Sequence, residues 1–243
     1  MNNQNVVVHR LVSGENLYRL AQKYNTTVDA VLASNPYLNP YRLRIGDEIV
    51  VYPGRYEAKG HPMTTSEVDL MNNMRALWEQ HVIWTRLFII SVVDDLKDLD
   101  FVTKRLLKNP VDIGNLFRVY YGEAIAKKIT DLLTEHLAIA GDLVKALKKG
   151  DNVKATALDK GWYKNADDMA FAFASINPHY VEKEVKEMLY KHLDLTKREA
   201  ADRLAGNYAA DIEDFDNIEK QALMMADYFS KGIVNQFPNK FIQ

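Results

Sequence analysis

The 243-residue chain has no cysteine, so disulfide staples and thiol chemistry are excluded. Glycine is sparse at 11 residues, and none of them falls into a phosphate loop, a G-x-G-x-x-G turn or a G-x-S-x-G elbow. An excess of one charge is also missing. Lysine and arginine number 31 against 33 acids, for a net charge of -2, which provides no broad positive field for nucleic acid or an anionic membrane. The longest strongly apolar run, Leu87 to Val93, is interrupted by Ser91 and falls far short of the roughly 20 residues a membrane span needs. The opening Met1-Asn2-Asn3-Gln4-Asn5 has no basic region, apolar region or cleavage site, so the expectation is synthesis in the cytoplasm without a signal peptide. Neither E-x-x-H nor H-E-x-x-H occurs, which argues against a ferritin-like oxidase and a zincin.

What is present supports a folded chain, since 47% hydrophobic residues over this length can bury a full core. Val6 to Val12 is dense in valine and reads as a strand, and Ser13-Gly14 turns into a helix striped by Leu17, Leu20, Ala21 and Tyr24. Val28, Val31 and Leu32 mark a second short helix that Asn35-Pro36 stops. Gly46-Asp47 turns again, and Glu48 to Tyr52 returns as a strand. The unit is βααβ.

Its residues, V-S-G-E-N-L-x-x-L-A-x-x-Y from Val12 and L-R-I-G-D-E-I-V-V-Y-P from Leu43, closely resemble a LysM module. The resemblance implies binding of N-acetylglucosamine-containing glycans such as peptidoglycan. By it, Gly14, Glu15, Asn16 and Leu17 form one lip of a groove, with Leu17 alternatively a core residue. Leu38, Asn39, Pro40, Tyr41, Arg42, Leu43 and Ile45 form the other lip. Backbone amides and carbonyls there would bond the acetamido and hydroxyl groups. Asn16 departs from the Thr or Ser usual in such modules and puts the hydrogen bonding on that lip in question. A degenerate module kept as a protein-docking surface is the alternative.

Residues 1–53 therefore form the first domain, and Pro53-Gly54 through Gly60-His61-Pro62 belong to a linker over residues 54–65. Thr64 and Glu67 stand in capping-box spacing. Residues 66–236 are helical in period, and 237–243 form a tail. The fold class expected is α+β multidomain, with an all-α bundle of about six helices following the small module.

The bundle's stripes recur. Leu77-x-x-x-His81, Leu132-x-x-x-His136 and Met188-x-x-x-His192 lie 55 and 56 residues apart, each followed one turn on by Thr85, Ala140 or Thr196. Lys108-Asn109-Pro110, Lys164-Asn165-Ala166 and Lys220-Gln221-Ala222 keep a period of 56. This spacing predicts three helical hairpins that bury a common core. Pro110 should break or kink the first hairpin's second helix. Further breaks are expected at Gly150-Asp151, Asn177-Pro178 and Gly206-Asn207.

His81, His136 and His192 each replace an apolar residue on an inner stripe, so each is expected to be buried and to need a partner. Two readings stand. The three converge on one divalent metal, zinc or iron, or each bonds locally and fixes its hairpin's register. Asp112, Asp142, Asp167, Asp168 and Asp227 are candidate acids near the apolar faces, and 33 acids leave a glycosidase-type pair neither supported nor excluded. Trp78, Trp84, Trp162, Tyr120, Tyr121 and Tyr163 suit a core better than a ligand cleft.

The blocks W-E-Q-H, N-P-x-D-I, W-Y-x-N-A-D and A-L-x-M-A-D-Y between Leu77 and Pro238 resemble an uncharacterised helical-bundle family of spore-forming bacteria. Some of its members carry kinase names that no phosphate loop here supports. The resemblance implies a spore-coat, cortex or cell-wall protein anchored on peptidoglycan, with spore-coat proteins or its own copies as partners. A metal-dependent hydrolase using the three histidines is the alternative reading, and a phage tail or lysis component is a third.

Overall fold

The computed structural model describes residues 6–12, 14–26, 28–35, 38, 43–53 and 63–241. The chain divides into two compact units, Met1–Met63 and Thr64–Gln243. In the first, strand β1 (Val7–Arg10) is followed by helices α1 (Leu17–Lys23) and α2 (Val28–Ala33) and strand β2 (Glu48–Val51). The strands pair antiparallel with Val7 opposite Val51 and Arg10 opposite Glu48. Alternation puts Ile49 and Val51 inward, where they close on Leu11, Leu17, Leu20 and Val31.

The second unit contains seven α-helices among the described residues: α3 (Thr65–Val93), α4 (Leu99–Leu106), α5 (Asn109–Tyr121), α6 (Glu123–Lys148), α7 (Asn152–Ile176), α8 (Glu182–Ala205) and α9 (Tyr208–Gln236). Helix α3 starts with the expected capping box. Thr64 Oγ1 accepts from the Glu67 amide, and the Glu67 carboxylate accepts from the Thr64 amide at 2.8 Å.

The helices form three antiparallel pairs, α3 with α4 and α5, α6 with α7, and α8 with α9. Successive elements pack on one another and α9 returns onto α3, so the bundle closes as a ring. The partner of α3 is the one split in two, and Pro110 lies in the first turn of α5, where its missing amide costs nothing. Two breaks lie outside the sequence expectation: residues 94–98 separate α3 from α4, and Gly122 at φ 80° separates α5 from α6.

An aromatic cluster of Phe117, Phe173, Phe229 and Tyr180 fills one end of the bundle. Phe173 and Phe229 ring centres lie 4.5 Å apart, and Trp78 stacks on Phe229. The tail folds back, with buried Phe241 stacked on Tyr120. Gly232 lets α9 approach this cluster. A Cβ there would stand 2.0 Å from the Tyr180 ring, which is held by its hydroxyl donating to the Phe229 carbonyl. Gly232→Ala is therefore expected to cost about 2–3 kcal/mol by overpacking. Denaturant melts followed by tryptophan fluorescence check this, because all three tryptophans lie in this unit.

Candidate functional site

In the N-terminal unit the first lip is a tied loop. Gly14 sits at φ 83°, a conformation that favours glycine, and its carbonyl accepts from Arg19 Nη1 at 2.7 Å. Asn16 is the N-cap of α1, its Oδ1 accepting from the Arg19 amide at 2.9 Å, the role a Thr or Ser also fills. Leu17 is core.

The Glu15 carboxylate is committed internally. It accepts from His9 Nε2 at 2.7 Å, from the Val12 amide at 3.1 Å and from Lys23 Nζ at 3.3 Å. These bonds, that of His9 first, hold its pKa down at about 2. His9 is in turn bonded to the Tyr24 hydroxyl at 2.8 Å. Glu15 thus shapes the lip with its side chain and leaves the loop's backbone as the polar surface.

On the second lip, Asn39, Pro40, Tyr41 and Arg42 lie outside the described residues. Leu38 and Leu43 pack partly buried against the core, whereas Ile45 is 72% exposed. The loop bases are joined, since the Leu11 amide donates to Asp47 O at 2.8 Å and the Gly46 amide to Leu11 O at 2.7 Å.

Sequence reasoning missed Asn35 except as a helix stop. Its Nδ2 donates to the Val31 and Val50 carbonyls at 2.6 and 2.7 Å, and its Oδ1 accepts from the Val50 amide at 2.9 Å. One side chain therefore ends α2, extends β2 and anchors the start of the second lip. Asn35→Ala should destabilise this unit by about 2–4 kcal/mol, on about 1 kcal/mol per bond. The check is the loss of amide-exchange protection confined to residues before 63.

The second unit brings His81, His136 and His192 together. Ring centres are 5.7 Å apart for His81 and His192 and 6.4 Å for His81 and His136, and each residue is at most 4% exposed. Each Nδ1 meets an amide oxygen of the partner helix: Asn109 at 3.1 Å, Asn165 at 3.1 Å and Gln221 at 3.0 Å. These amides are the residues that share the 56-residue period.

Each amide nitrogen donates back to the carbonyl one turn before its histidine: Leu77 at 2.8 Å, Leu132 at 3.2 Å and Met188 at 2.9 Å. Because the nitrogens are the donors, the oxygens must accept. The proton therefore sits on each Nδ1, and each Nε2 is a bare lone pair. Each ring thus bonds an amide of its own hairpin, and His81 also lies near the other two rings.

Burial is the first cause that lowers all three histidine pKa values, to about 3 for His81 and His136. Repulsion from His192 adds at His81, and repulsion from His81 and His192 adds at His136. No hydrogen bond or ion pair joins them to a carboxylate among the described residues. Glu135 comes nearest, holding Asn165 Nδ2 at 3.0 Å.

Three of the five candidate acids pair with surface cations. Asp227 binds Arg75 through two bonds of 2.6 Å, Asp167 pairs with Lys186, and Asp168 pairs with Lys164. At their present spacing, no group of three or more His, Asp or Glu among the described residues is disposed to hold a metal ion.

One turn along the axis lies an apolar cavity of about 20 Å³ walled by Phe88, Ile89, Leu137, Val144 and Trp162, with Thr85, Ala140 and Thr196 at its histidine side. The two threonine hydroxyls donate to the carbonyls of His81 and His192.

Residues 9–51 match the LysM domain. This segment runs from within β1 to the end of β2 and takes in both short helices and both lips. No curated protein and no solved structure matches the chain. No described helix is long and apolar enough to cross a membrane.

Proposed function

We propose that the chain is a wall-binding protein whose LysM module, through its two lips, holds an N-acetylglucosamine-containing glycan such as peptidoglycan, while the helical bundle supplies a docking or ligand-binding domain. The observation that carries the reading is the LysM match over residues 9–51 on a βααβ unit with tied loop bases and an exposed Ile45 between them. The sugar-facing groups are the backbone of Gly14, Glu15 and Asn16 on one lip. The second lip comprises Leu38, Asn39, Pro40, Tyr41, Arg42, Leu43 and Ile45, with Ile45 as apolar wall.

Location on a spore envelope or cell wall follows from this binding, with spore-coat proteins or further copies of the chain as partners of the bundle. A recurrent His–amide contact in all three helical pairs supports their reading as three like units. A single module binds weakly, so several linked copies would raise retention by effective concentration.

Co-sedimentation of the full chain with purified insoluble peptidoglycan tests the proposal. The expected result is retention competed by soluble N-acetylglucosamine oligomers and reduced at least about tenfold by Ile45→Asp, the effect of losing about 1.4 kcal/mol of contact. Retention unchanged in Ile45→Asp and Tyr41→Ala together would reject these lips as the binding surface.

A further inference from the structure

We infer that the bundle axis is a binding site for one divalent transition metal ion, held by Nε2 of His81, His136 and His192. Three amides, each oriented by a backbone carbonyl, force the proton onto Nδ1 of every ring. Three Nε2 lone pairs are thereby left facing away from these amides, with no hydrogen bond among the described residues.

A bare acceptor in a buried place costs free energy, and three adjacent ones repel one another. Protonation does not relieve them in this dry setting, and one water has only two protons for three acceptors. A Lewis acid with affinity for neutral imidazole satisfies all three.

The outer contacts agree with this assignment. Histidines that bind metals donate their other ring N–H to a fixed oxygen, which sets the ring's orientation. That arrangement is already in place three times over, and Glu135 behind Asn165 adds a negative charge one bond further out.

A second observation is independent of the histidines. The indole N–H groups of Trp78 and Trp162 are buried and have no acceptor among the described residues, and their rings stand 6.0 Å from His81 and 5.2 Å from His136. They are donors suited to an oxygen ligand, such as water or hydroxide, in the fourth position. The apolar cavity beyond Thr85, Ala140 and Thr196 provides space at that end. Binding at zinc–nitrogen distances of about 2 Å requires the rings to draw in from their present spacing.

Chelator-treated full-length protein titrated with Co(II) tests the site. The expected result is one ion per chain, tetrahedral visible bands, displacement by Zn(II), and a raised thermal midpoint. His192→Ala should abolish the bands, Asn165→Ala should weaken binding about 10- to 100-fold by freeing the His136 ring, and the distant His179→Ala should change nothing. Absence of bands, or bands that survive His192→Ala, overturns the proposal.

Should His192→Ala not fold, long-range proton–nitrogen NMR of the native protein decides instead. Three Nδ1–H rings whose Nε2 resonances move on zinc addition support the site, and unmoved Nε2 resonances overturn it.

Discussion

In the presence of chelator, the bundle is expected to lose stability steeply once the pH falls below about 4.5. The folded pKa of His81 and His136 is about 3, against about 6.5 in an unfolded chain, and that of His192 is lowered as well. The unfolded state therefore binds more protons between those values. Stability is fully present above pH 6.5 and is lost as the pH falls toward 3. At pH 5 the loss is about 2 kcal/mol for each of His81 and His136, and His192 adds to it in the same direction.

Glu199 works against this. Burial raises its pKa to about 7 even though Arg86 pulls it back. Acidification from pH 7 to 5 relieves the cost of its charge and offsets about 2 kcal/mol of the histidine term. Below about pH 4.5 that relief is exhausted, and up to three protons then give a slope near 4 kcal/mol per pH unit.

Guanidinium melts followed by tryptophan fluorescence from pH 8 to 4 should show a shallow decline that steepens. In Glu199→Gln the decline should begin near pH 6.5. A profile flat to pH 4 would mean that the three rings are already hydrated or charged.

The second large effect concerns ring closure. Arg86 on α3 reaches Glu199 of α8 at 2.7 Å and Asp211 of α9 through bonds of 2.7 and 3.1 Å. Both acids are 1% exposed, and Arg203 stands 3.6 Å from Asp211 on its other side.

Removing the guanidinium takes the cation from buried Glu199 and leaves buried Asp211 only the longer contact to Arg203. Arg86→Ala is therefore expected to cost about 3–5 kcal/mol, a large part of a domain's stability. The triple variant Arg86→Ala, Glu199→Gln, Asp211→Asn should recover part of that loss, because neutral amides leave no uncompensated charge. Equal melts for Arg86→Ala and the native protein would place the closing energy in apolar packing alone. Arg75 with Asp227 makes a more exposed α3–α9 bridge and should matter far less.

These expectations show which parts of the molecule can be read locally. The βααβ order, the capping box at Thr64 and the breaks at Gly150, Asn177 and Gly206 were legible because each is written in neighbouring residues: valine alternation, a Thr-x-x-Glu pair, and Gly or Asn at positions where helices end. Gly122 escaped notice, since a single glycine between two strongly periodic segments gives no signal that the chain reverses there.

The side-chain bonding of the N-terminal unit was not legible in the sequence. Glu15 reads as a surface acid until His9 and Lys23 fold onto it, and Asn35 reads as a stop until β2 arrives to take its hydrogen bonds.

By itself the sequence determined the class of each segment and the 56-residue recurrence of histidines and amides, because helix periodicity and capping depend on residues within a few turns. Only the tertiary structure decided that each histidine meets the amide 28 or 29 residues on, that the ring closes through α3 and α9, and that the His81 ring comes within 6.4 Å of both His136 and His192. Those facts depend on which helix faces are brought together, and contacts over such separations are set by packing the whole bundle rather than by any local pattern.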